Sequence, residues 1–93
     1  MSIHPESIGA QIAMLRKNAG LTQGELGERL GVSYQAVSKW ERGETVPDVG
    51  ILLDLAGILR TTVDNILSGG KTIMEYRGKI TVAEVVIDLF RVI

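Results

Sequence analysis

The stretch from Thr22 to Gly43, TQGELGERLGVSYQAVSKWERG, leaves this chain few ways to fold. It reads as two short amphipathic helices joined by a glycine-containing turn, Gly31-Val32-Ser33. The second helix separates its faces cleanly. Ala36, Val37 and Trp40 make an apolar stripe, and Gln35, Ser38, Lys39 and Arg42 a polar one. The polar residues recur at i, i+3, i+4 and i+7, so all four side chains leave one side of the helix. They are hydrogen-bonding or cationic, with no acid among them. Such a face suits the major groove of double-stranded DNA, where base edges offer donors and acceptors and the flanking phosphates attract cations.

Composition fits this reading and excludes others. At 93 residues and 45% hydrophobic, the chain is one domain with a small core, or one domain plus a short arm. The formal net charge is −1, but five basic residues face three acidic ones between Arg16 and Arg42. A near-neutral protein gains little from bulk electrostatics, so modest non-specific affinity and reliance on specific contacts or dimerisation are expected. There is no cysteine, which excludes disulfides and thiolate sites; a reducing, cytoplasmic setting is expected. The opening MSIHPESIG lacks the basic run and apolar core of a signal peptide. No stretch approaches the roughly 18 apolar residues of a membrane span. A single histidine, His4, leaves no nucleophile–base set, and Asp48, Asp54 and Asp64 lack metal-loop spacing. Hence no enzyme, no cofactor and no metal site is expected.

Along the chain, residues 1 to 7 read as an arm. Helix one runs from about Ser7 to Asn18 on Ile8, Ile12 and Leu15, ending at Gly20. Helix two runs from about Gln23 to Leu30, with Leu26 and Leu30 as core residues and Thr22 and Glu25 as a capping box. Ser33 caps helix three, which runs to about Arg42 and stops at Gly43. Helix four starts near Pro47 or Asp48 and runs to about Leu59 with Leu52, Leu55, Ala56 and Leu59 buried. Helix five spans about Val63 to Leu67, capped by Thr62, and Gly69-Gly70 reads as a linker. These elements give an all-α fold, with residues 1–70 as one domain. Residues 71–93 read as an arm and then an amphipathic helix opened by a second capping box, Thr81 and Glu84. Its apolar face, Val82, Val85, Val86, Leu89, Phe90 and Ile93, either packs on the five-helix core or, as the reading preferred for this segment, serves as a dimerisation element. Its polar face is not basic, which argues against a membrane surface.

The segments LRKNAGLTQ (15–23), GVS (31–33) and VSKWERG (37–43), the proline at 47, LAGIL (55–59) and TTVDNIL (61–67) occur in an order and spacing that carry the identification. Together they resemble the lambda repressor and Cro-like helix-turn-helix family, the XRE family, over about residues 8 to 68. The resemblance implies a five-helix DNA-binding domain of a transcriptional regulator, acting as a homodimer on a palindromic operator and by default repressing. It implies that Gln23 bonds a phosphate at a helix N-terminus. Ser33, Tyr34, Gln35, Ser38 and Lys39 would meet DNA at the major groove, Gln35 pairing with adenine. Arg42 and Thr45 would grip the backbone beyond helix three. Arg16 and Glu41 match a structural ion pair, and Trp40 a large core residue. Gly24 and Gly27 depart from the family pattern, each costing about 0.5–1 kcal/mol against alanine in a helix; Gly27 is expected to let helices two and three approach closely. The rival reading keeps the fold as a protein-interaction scaffold, such as an antitoxin, with the terminal helix docking a partner protein.

Overall fold

A computed structural model describes residues 4–70. Those residues form five helices: α1 (Pro5–Asn18), α2 (Gln23–Leu30), α3 (Tyr34–Glu41), α4 (Val49–Ile58) and α5 (Val63–Leu67). No strand occurs among the described residues. The arm and helix read over 71–93, with Val82, Val85, Val86, Leu89, Phe90 and Ile93, lie outside them.

Local chemistry sets most of the boundaries. The Thr22 hydroxyl accepts from the Glu25 amide at 3.0 Å, and the Glu25 carboxylate accepts from the Thr22 amide at 3.0 Å. Two backbone donors at the start of α2 are thereby satisfied. Gly31, at φ 73°, closes α2 in the left-handed region and hands the chain to Ser33, whose hydroxyl accepts from the Ala36 amide at 3.3 Å. Thr62 caps α5 in the same way.

Two boundaries differ from the expectation. α1 begins at Pro5, two residues before Ser7, because proline at the first helical position is preset at a helical φ and its missing N–H is no loss there. Pro47, conversely, stays outside α4. It is buried, and Asp48 supplies the cap, accepting from the Ile51 amide at 2.9 Å.

The core draws on every helix: Ile8 and Ile12 from α1, Leu26 and Leu30 from α2, Val37 and Trp40 from α3, Leu52 and Leu55 from α4, Ile66 from α5, with Leu21 and Leu59 between. Each aliphatic side chain removed from water contributes about 1.5–3 kcal/mol. Ala56, read as core, is half-buried. α4 is apolar on its outer side as well, leaving Val49 72% and Leu53 62% exposed.

Several glycines act through space. A Cβ on Gly9 would overlap the Trp40 carbonyl oxygen and lie 2.8 Å from that of Glu41, so α1 crosses the last turn of α3 backbone to backbone. A Cβ on Gly27 would lie 2.7 Å from the Val32 carbonyl, so its close approach is to the turn before α3. Gly24 meets nothing nearer than the Thr22 hydroxyl at 3.9 Å. The Gly69-Gly70 pair is no loose linker. Their amides return to the carbonyls of Ile66 and Asn65, and both glycines seat against Ser7 and Gln11 of α1. Positive φ at both positions permits this.

Candidate nucleic-acid interface

α3 presents the polar stripe outward because its other side is fixed. Val37 and Trp40 are in the core, Ser33 caps its start, and α1 lies against its last turn. Tyr34 (57% exposed), Gln35 and Lys39 stand in solvent, as do Ser33 at the helix start and Thr45 in the loop beyond it; Ser38 is half-buried.

At the inner edge, Arg16 donates through Nε to Glu41 Oε2 at 2.7 Å and through a terminal nitrogen to Oε1 at 2.9 Å. Its other terminal nitrogen donates to the Leu21 carbonyl at 2.9 Å. This two-pronged pair ties α1 to α3 and, through Leu21, to the link before α2. Burial pushes the Glu41 carboxyl up, but hydrogen bonds from Arg16 and Gln23 and the charges of Arg16 and Lys17 outweigh it. Its pKa therefore sits below the ordinary value. Arg16 shifts upward, first through the hydrogen bond with Glu41.

Gln23 enters this network. Its amide nitrogen donates to Glu41 Oε1 at 3.0 Å, which brings the start of α2 against the end of α3. The side chain expected to reach a phosphate is held by a carboxylate here, half-buried at the edge of the exposed face.

Arg42 is engaged as well. Its Nε donates to Glu44 Oε1 at 3.0 Å, one terminal nitrogen to Glu44 Oε2 at 3.1 Å, and the other to the Ser38 hydroxyl at 2.7 Å. The Arg42 hydrogen bond, joined by the charges of Arg42 and Lys39, holds the Glu44 carboxyl below the ordinary value despite slight desolvation. Arg42 shifts upward for the reciprocal reason. Sequence reasoning passed over Glu44 and Gly9. Gly9 was signalled by sharing a helical face with Ile12 and Arg16, at i, i+3 and i+7. Glu44 lies past the end of α3, where no periodicity speaks.

The arrangement presents hydrogen-bonding groups along one helix, with cations at its C-terminal half. No cluster of three or more potential metal ligands occurs among the described residues, and no helix there is long and apolar enough to cross a membrane.

A family model described as HTH_3, Helix-turn-helix, matches residues 12–66. The chain is 38% identical over 63 residues to the HTH-type transcriptional activator BcrR of Enterococcus faecalis, covering 68% of this chain and 31% of that protein. It is 37% identical over 67 residues to Repressor protein C2 of Salmonella phage P22, covering 72% of this chain and 31% of that protein. The chain thus spans about a third of the length of these curated relatives. The crystal structure of the P22 c2 repressor in complex with synthetic operator 9T superposes with a TM-score of 0.64 at 40% identity, covering 67% of this chain and 94% of that one.

Proposed function

This chain belongs to the helix-turn-helix family of DNA-binding transcription regulators, and we propose that it binds a palindromic operator as a homodimer and represses by occluding polymerase. One observation carries the reading: Gln35, Ser38, Lys39 and Arg42 project from one side of a helix whose other side is locked into the core. Gln35 reads a base, Ser33, Tyr34, Ser38 and Lys39 line the groove contact, and Arg42 and Thr45 hold the backbone. Gln23 meets a phosphate after leaving Glu41. In a dimer the two α3 helices enter successive major grooves about 34 Å apart. The setting proposed is the cytoplasm, without catalysis, metal or cofactor.

Selection from a pool of random duplex DNA at near-physiological salt tests the reading. A palindrome with half-sites about one turn apart supports it; a folded protein that enriches nothing overturns it. Gln35→Ala is expected to cost about 1–3 kcal/mol of specific binding and to relax preference at one base pair. An equal loss on all sequences removes Gln35 from base reading.

Residues 71–93 are proposed to supply the dimer contact through Val82, Val85, Val86, Leu89, Phe90 and Ile93. Among the described residues the core runs from Ile8 to Ile66, and a chain ending at Gly70 is expected to sediment as a folded monomer where the full chain is dimeric. A truncated chain that stays dimeric moves the contact elsewhere. The outer side of α4, where Val49 and Leu53 are exposed one turn apart, favours a second reading, a protein-interaction module. Enrichment of an operator decides for DNA.

A further inference from the structure

Arg42 stands where the DNA-binding reading needs a cation, yet all three of its guanidinium nitrogens are already engaged. Two meet the Glu44 carboxylate at 3.0 and 3.1 Å, and the third meets the Ser38 hydroxyl at 2.7 Å. A carboxylate facing a guanidinium in this two-point fashion offers the geometry that a phosphate does. The Arg42 and Glu44 side chains are 56% and 51% exposed, so water and ions reach the pair and a competing anion can replace the carboxylate. We propose that Glu44 is an internal stand-in for a DNA phosphate: it holds Arg42 folded back over Ser38 until the DNA backbone displaces it. Glu44 thereby sets how tightly the face holds any duplex, while the base preference stays with Gln35.

The inference rests on the DNA-binding reading and extends it to a residue outside the polar stripe. It also gives the near-neutral charge a local basis. Of the two cations on the outer stripe, Lys39 and Arg42, one is neutralised within the chain before DNA arrives. A phosphate contact made by an uncompensated cation releases about 0.9 of a counterion, whereas one that uncovers a carboxylate in the same step releases less. Freeing Arg42 also frees the Ser38 hydroxyl from the bond it accepts, so one displacement releases two members of the stripe.

The test is a four-member cycle on the full chain: wild type, Glu44→Gln, Arg42→Gln and the double variant. Binding to a fluorescent mixed-sequence duplex is followed by anisotropy between about 50 and 200 mM salt. Glu44→Gln is expected to tighten binding roughly two- to fivefold, as for removal of an exposed ion pair. It is expected to steepen the slope of log affinity against log salt by up to about 0.9. Arg42→Gln is expected to weaken binding, and adding Glu44→Gln to it to restore little, because the target of the restraint is gone. Equal tightening in both backgrounds would show that Glu44 merely repels phosphates, and no tightening would show that it restrains nothing; either overturns the proposal. If all four folded proteins ignore every duplex, the DNA-binding reading itself fails with it.

Discussion

Glu41→Ala is expected to destabilise the domain by about 3 kcal/mol, the lower end for stripping one partner from a buried ion pair. The loss arises on the arginine. The Arg16 side chain is 11% exposed, and without Glu41 it keeps the Leu21 carbonyl as its acceptor while its charge goes unmatched. Gln23 loses its acceptor at the same time. For a domain of this size the change corresponds to a fall in Tm of roughly 12–24 °C, read by circular dichroism. A fall of only a degree or two would place the pair among solvated surface bridges. The same carboxylate gives a pH signature. Its folded pKa lies below the ordinary value, so its stabilisation is present above the unfolded value of about 4.3 and is lost as pH falls through the folded value. Glu41→Gln is expected to flatten that part of the acid limb while leaving slopes above pH 6 as they were.

Gly9→Ala is expected to cost toward the upper end of about 1–3 kcal/mol, although alanine is the better helix former by about 1 kcal/mol. The added methyl would meet backbone carbonyls of Trp40 and Glu41, which no rotamer change can move aside. α1 and α3 must separate, and Arg16, two turns further along α1, is drawn back from Glu41. Gly24→Ala is the control. That site is open, so the same exchange is expected to stabilise by about 0.5–1 kcal/mol. Urea titration of both variants measures the contrast. If Gly9→Ala stabilises as Gly24→Ala does, the backbone crossing is not as close as described.

What sequence alone revealed divides along a physical line. The capping box at Thr22 and Glu25, the left-handed Gly31 and the outward stripe of α3 are matters of spacing within a few residues, and they are where the pattern put them. Pro5 and Pro47 show the limit of a local rule. Either proline could open a helix; Pro5 does, whereas Asp48 takes the cap after Pro47 and excludes it. The link from Gln23 to Glu41 spans 18 positions and exists only because the start of α2 meets the end of α3. The Gly9 crossing needs the same knowledge of how helices stack. The pairing of Arg42 with Glu44 is close in sequence, but it forms where the chain has left the helix and periodicity no longer applies.

The asymmetry of α3 bears on how such a domain changes over generations. Its inner side is committed to Val37, Trp40 and the backbone beside Gly9, whereas Tyr34, Gln35 and Lys39 point into solvent. Substitutions at exposed positions of this kind usually shift folding by no more than about 0.5 kcal/mol. Under the proposed DNA contact, a duplicated gene can therefore drift at these three codons towards a different target while its product still folds, so that divergence of recognition need not wait for compensating change in the core.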